Sequence, residues 1–432
     1  MGTLHETNLC HHSLGTIFAS IPDEVSHEAL LLLPRHLHGA LKTVSKSWSS
    51  AVSSGAFFQA REAAGAVEEW LFVLPEDPDQ GAFRAFDPNS HSWHAVPPVP
   101  GRSKNEGLSE FATVAAGGKM FVIGGCERVT SASPSGMSFA EVATARVRVF
   151  DPVAWRWDFC APMREARISP AAEVLDGRYI VVTGGQGRHA FLRSAEIFDV
   201  YTSEWRSISD MHAVRCGHRA VVIGGQLTVI AGEVQRHDTS TADVMDLRHD
   251  GDGHARESTA SIEVYDRQSD RWDLVPNAWI DGAKIPGPMA VLNGDLYAVH
   301  QSRLVVRDAA TGEWRKCGPI PSLHVSSTGV GSFGRQNSAT RGAGMIAFQG
   351  KLFLLGGARD AWGHGGRVGV EEVFCWDPEE EGRRGREEEA CMPKGLAAPM
   401  FMRPSERLLN WHAVGGMGGG KGAILGCAVL RV

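Results

Sequence analysis

The stretch Tyr179-Ile180-Val181-Val182-Thr183-Gly184-Gly185, followed by Ala195-Glu196-Ile197-Phe198-Asp199 and then Trp205, decides the fold. A short β-rich run bounded by glycine reads as a strand. Paired glycines allow unusual φ values or a close approach of backbone in a crowded centre. The Asp starts a turn, because its carboxylate can bond nearby backbone N–H groups. The Trp opens an outer strand, where a large ring covers the gap to a neighbouring unit. The same unit recurs along the chain with a fixed step: Asp87 to Trp93, Asp151 to Trp157, Asp199 to Trp205, Asp266 to Trp272 and Asp308 to Trp314. A sixth copy has Trp376-Asp377-Pro378, with Arg383 where the Trp is expected. Five steps from Asp87 to Asp377 give a mean period of 58 residues. That length suits a four-stranded blade carrying some long insertions.

Double glycines at Gly124-Gly125, Gly184-Gly185 and Gly356-Gly357, with the Asp and the Trp, resemble kelch repeats. The resemblance covers roughly residues 68–432 and implies a kelch-type β-propeller of six blades. The fourth unit departs from the pattern at Ala231-Gly232-Glu233, and the fifth, at Ala298-Val299-His300, has no glycine pair. The first unit has three strand-like runs and no innermost one. A spare apolar run, Ala423-Ile424-Leu425-Gly426-Cys427-Ala428-Val429-Leu430, stands at the far end. Pairing it with the first unit would close the ring and remove an open sheet edge.

Residues 16–65 change character. Pro22 suits a first helical position, with Asp23 and Glu24 facing the positive helix end. Val25, Ala29, Leu32 and Leu33 follow at helical spacing, and Pro34 ends that helix. A second helix is expected from Leu37, with Leu41, Val44 and Trp48 on one face. The strings Ile21-Pro22-Asp23-Glu24, Leu30 to Pro34, and Leu41-Lys42-Thr43-Val44-Ser45-Lys46-Ser47-Trp48 resemble an F-box. With the junction Glu68-Glu69-Trp70-Leu71-Phe72-Val73-Leu74, the whole is similar to the plant F-box/kelch-repeat proteins. The expected layout is a disordered tail over 1–15, an all-α F-box-like segment over 16–65, and a propeller over 66–432 closed by the C-terminal strand. The fold class is mainly β.

Net charge is −7, which argues against nucleic acid as a partner. No stretch approaches 18 apolar residues, so no membrane span is expected. The eight cysteines form no C-x-x-C pair and read as reduced thiols of a cytoplasmic or nuclear protein. Gly415 to Gly422 fits G-x-x-x-x-G-K, but Gly422 stands where Ser or Thr should hold magnesium, so a hairpin is expected. Cys10-His11-His12 lacks a second ligand pair, and the run Glu379 to Glu389 reads as a solvated loop. No cofactor and no catalytic centre are expected.

The F-box resemblance implies docking to the Skp adaptor of a cullin–RING (SCF-type) ubiquitin ligase, through Ile21, Pro22, Leu30, Leu33, Pro34, Leu41, Val44 and Trp48. The propeller would then hold a target protein. Insertions at 126–143, 233–258 and 358–370 fall between second and third strands, so all three should crowd one face. The links onto that face carry Arg167, Arg215 and Arg341. Kelch domains that bind peptides present Arg from this link, so the resemblance marks these three as candidates to pair with carboxylates of the target. Two alternatives remain: a kelch scaffold without the ligase, and a kelch-type copper oxidase. The latter needs Tyr and His ligands on the ring axis, whereas Tyr179, Tyr201, Tyr265 and Tyr297 fall in the strand pattern.

Overall fold

The computed structural model describes residues 23–75, 81–102, 107–133, 136–234, 257–258, 261–275, 287–300, 303–309, 311–321, 343–356, 358–360, 367–369, 372–380, 411–416 and 424–432. Six four-stranded antiparallel sheets form the blades of a propeller. Blade 2, for example, pairs Ala112–Ala116, Lys119–Ile123, Val147–Asp151 and Arg156–Cys160 in chain order. Blades 3 to 6 start at the inner strands Ala171–Leu175, Arg219–Ile223, Met289–Leu292 and Gly344–Phe348. In blade 1, Glu69–Pro75 pairs with the last strand of the chain, Ile424–Arg431, which becomes the inner strand. Val432 and Glu68 exchange backbone hydrogen bonds of 2.8 and 3.1 Å and extend that ladder.

The apolar core is divided among the seams between blades. Six clusters of buried side chains fill the six seams. The fixed Asp-to-Trp step has a physical origin here. Asp87, Asp151, Asp199, Asp266 and Asp377 each accept a backbone N–H from two residues on, closing the turn. In blades 2 and 3 the Trp packs at a tilt against the Phe before the Asp, with centroids 5.2 Å apart for Phe150–Trp157 and 4.9 Å for Phe198–Trp205. Its indole N–H crosses to the previous blade: Trp157 donates to Pro97, Trp205 to Ala161 and Trp272 to Ser209.

The sixth unit has this Trp after all. Trp411 precedes the outer strand His412–Gly416 and lies 6.3 Å from Trp376, in the register the other blades use. It was missed because it stands 34 residues after Asp377 instead of six. Arg383 lies outside the described residues.

The helical segment comprises α1 (Asp23–Leu32), a 3₁₀ turn at Arg35–Leu37, α2 (His38–Val44), α3 (Lys46–Val52) and α4 (Gly55–Ala63). The single helix expected through Leu37 to Trp48 is broken at Ser45. Ser45 is extended (φ −160°, ψ 166°), and its side chain accepts the Trp48 N–H as the cap of α3. Ser is a favoured cap because its oxygen satisfies an end N–H. A small core of Leu30, Leu31, Val52 and Phe57 holds the segment together. Arg61 threads beneath it, donating to the carbonyls of Leu31, Leu33 and Ala66. No helix of the described residues is long and apolar enough to cross a membrane.

The segment sits on the face of the ring where the turns between third and fourth strands emerge. Arg35 reaches the Pro152 carbonyl, His36 Nδ1 lies 3.0 Å from the Asp87 carboxylate, and Arg431 pairs with Glu62. The three paired insertions, Cys126–Ser133 with Gly136–Ala143, Glu233–Val234 with Glu257–Ser258, and Ala358–Asp360 with Arg367–Gly369, join second to third strands and therefore leave from the opposite face.

Candidate interaction surfaces

On the helical segment, apolar side chains divide into those that hold it and those left outside. Leu30 is 3% exposed and belongs to the segment's own core, so it is a support and not a contact. Leu33, Leu41 and Trp48 are half-buried against that core, and Pro34 is half-buried before the 3₁₀ turn. Ile21 and Pro22 lie outside the described residues. Val44 is open to solvent at 59% exposure. Val25, Leu32 and Leu37, which belong to the helically spaced apolar positions, are exposed as well, Leu32 at 64%. The residues of α1 that pack on Val52 and Phe57 are Leu30 and Leu31.

The arginine expectation needs correction at two positions. The side chains of Arg167 and Arg215 are fully buried. Arg167 donates to the carbonyls of Gly184 and Ser194, to Ser194 Oγ and to Glu196 Oε1 at 3.1 Å. Arg215 repeats the pattern one blade on, donating to the carbonyls of Ala231 and Ser261, to Ser261 Oγ and to Glu263 at 2.8 Å. Each glutamate also accepts two backbone N–H groups of the incoming link, from Arg164 and Glu165 or from His212 and Ala213. The double glycine completes the clasp: Gly125 N–H donates to the Arg167 carbonyl and Gly185 N–H to the Arg215 carbonyl. A Cβ on Gly185, at φ +89°, would stand 2.7 Å from the Ile168 carbonyl oxygen. These arginines therefore lock the link between blades and have no free donor for a partner's carboxylate. Arg341 lies outside the described residues.

A channel of about 890 Å³ runs through the ring between the inner strands. Its charged lining includes Glu173 of blade 3 and Arg219 of blade 4. Burial pushes the Glu173 carboxyl up to about 7, opposed only by the Val174 N–H. Burial lowers the Arg219 pKa, and the Cys427 thiol of blade 1 opposes that shift. That thiol is itself pushed up to about 11 by burial. The Arg219 guanidinium has no hydrogen bond or ion pair among the described residues, while its backbone pairs with Ile230. Sequence reading passed over it, although the signal was present. It opens an inner strand where blades 2, 3 and 6 have Ala112, Ala171 and Gly344.

Among the described residues no group of His, Cys, Asp and Glu is arranged to hold a metal ion. No tyrosine stands on an inner strand of the described blades: Tyr179, Tyr265 and Tyr297 lie on second or third strands, and Tyr201 is exposed in a turn. Gly415 and Gly416 end the outer strand of blade 6, while 417–423, Cys10-His11-His12 and most of the charged run lie outside the described residues.

The model of the Kelch motif family matches residues 107–164 and 169–212, which are blades 2 and 3. These are the two units that keep both the double glycine and the six-residue Asp-to-Trp step. An F-box/kelch-repeat protein of Arabidopsis thaliana is 25% identical over 425 residues, covering 96% of this chain and 97% of its own. A second from that plant, F-box/kelch-repeat protein SKIP30, is 26% identical over 69% of this chain and 76% of its own length. A third is 30% identical over 50% of this chain and 55% of its own length.

Proposed function

We propose that this chain, which resembles the plant F-box/kelch-repeat proteins in both its helical segment and its propeller, is a non-catalytic substrate receptor of an SCF-type ubiquitin ligase. The helical segment docks to a Skp-type adaptor. The propeller holds a target protein on the opposite face, where the insertions gather. Catalysis is then a matter of proximity, with ubiquitin transferred by other subunits. The observation that carries this reading is the set of large apolar side chains left exposed on so small a segment, Val25, Leu32, Leu37 and Val44. An exposed apolar surface on a folded segment marks a place for a partner. On the target side, Arg219 at the channel takes the part first given to Arg167 and Arg215, and Arg341 stays a candidate. The protein would work in the cytoplasm or nucleus.

The test is capture of a purified plant Skp-type adaptor by the full chain. Leu32→Glu combined with Val44→Glu changes only exposed positions, so the melting temperature should stay within about 2 °C. Adaptor capture should fall at least tenfold, the equivalent of about 1.4 kcal/mol. An intact chain that fails to retain the adaptor overturns the ligase reading and leaves the kelch scaffold in its place.

A further inference from the structure

A second cavity, of about 270 Å³, lies in the seam between the helical segment and the propeller. Blade 1 contributes Trp70 and His94, whose rings stack 4.8 Å apart at 18°. Trp155, from the turn of blade 2, meets Trp70 edge-on at 6.3 Å. The helical side supplies Arg35, His36, Gly39 and Lys42, with the His36 ring stacked 6.3 Å from His94.

The cations here outnumber the acids free to answer them. Arg35 lies over Trp155 at 5.4 Å, and its guanidinium bonds only neutral groups: the Pro152 and Val153 carbonyls and His38 Nδ1. Glu68 is already engaged by the Arg35 backbone N–H, the Trp70 indole N–H and the Arg61 guanidinium. Asp87 is taken by His36, Ser90 and the Asn89 N–H. Lys42 is half-buried in α2, and its ammonium makes no hydrogen bond or ion pair among the described residues. Burial and then Arg35 lower its pKa, with no acid opposing them. The cavity thus has aromatic walls, two cationic groups and no uncommitted carboxylate.

We propose that this seam is a binding site for a small aromatic anion of the aryl carboxylate class. The carboxylate would sit between Lys42 and Arg35, and the ring against Trp155 and His94. An aromatic ring fits beside aromatic walls in offset or edge-on contact. A charge-assisted hydrogen bond from the ammonium supplies orientation. The volume is just under the roughly 300 Å³ at which drug-sized sites begin, so it suits one ring and an acid group and excludes a peptide. A bound ligand would touch both the helices and the propeller and would hold one against the other. Binding itself does not depend on the ligase reading.

Ligand-observed NMR on the full chain, with sodium benzoate as the probe, tests the site. Benzoate should bind with a Kd on the order of 1 mM, the range expected for so few atoms. Lys42→Gln should weaken it at least fivefold. Gly39→Phe should abolish it, since an added Cβ there meets nothing within 4 Å and the ring can enter the cavity. Both variants should keep the parental melting temperature. Benzylamine, of similar shape and opposite charge, should show no saturation transfer. No benzoate binding at 20 mM, or binding untouched by either variant, overturns the proposal. Inorganic phosphate binding as tightly as benzoate overturns the aromatic class.

Discussion

Arg215 sets what a charged residue can do in this ring. Its side chain and the Glu263 carboxylate are both fully buried, 2.8 Å apart, and every bond they make lies inside the protein. Removing one partner of such a pair strands the other charge in a dry site. Arg215→Ala is therefore expected to cost about 3–5 kcal/mol in a urea denaturation series. A loss below about 1 kcal/mol would mean that the clasp does not hold the link. The double change Arg215→Met with Glu263→Leu should recover much of the loss, because no isolated charge remains. The position of Arg167 and Arg215 on the links was legible in the sequence, and their role was not. The deciding residues, Glu196 and Glu263, stand 29 and 48 positions downstream. Local spacing carries no trace of that pairing. Arg219, four residues beyond Arg215, shows the converse: a cation opening an inner strand, where blades 2, 3 and 6 carry Ala112, Ala171 and Gly344.

At the level of the element, the repeat was readable because each of its marks answers a local need. The Asp closes a tight turn, and the Trp ties one blade to the blade before it. Both stand on one short turn, six residues apart in five of the units, so insertions elsewhere leave the pattern intact. Blade 6 hid its Trp because the insertion fell inside that turn. Trp411 is half-buried against Trp376. Trp411→Ala should cost about 2–4 kcal/mol, slightly less than a fully buried tryptophan. Matched unfolding curves for the variant and the parent provide the check. Equal stability would show that the outer strand of blade 6 does not depend on that ring. The helical segment was less legible. Ser45 reads as part of a helical face by spacing alone, yet its hydroxyl competes for the backbone and caps a new helix. Leu37 and Val44 are exposed, while Leu41 and Trp48 pack on the segment's core.

For the whole molecule, the strongest dependency is between the two ends of the propeller sequence. Ile424, Ala428 and Leu430 are buried between blade 1 and its neighbours. Deleting 424–432 would expose the edge of Glu69–Pro75 and open two seams. The melting temperature should fall by roughly 10 °C or more, as several buried side chains are lost together. An unchanged melting temperature in calorimetry would mean that blade 1 stands on three strands. The same pairing has a meaning in time as well as in space. The chain is made from its amino end, at roughly 5–20 residues per second. Blade 1 is complete in three of its strands by Pro98, and its inner strand begins at Ile424, 326 residues later. The open edge of Glu69–Pro75 therefore waits on the order of 16–65 s during synthesis before its partner exists. Through that interval the nascent protein carries an unpaired apolar strand, and a chaperone that recognises such edges has its window there.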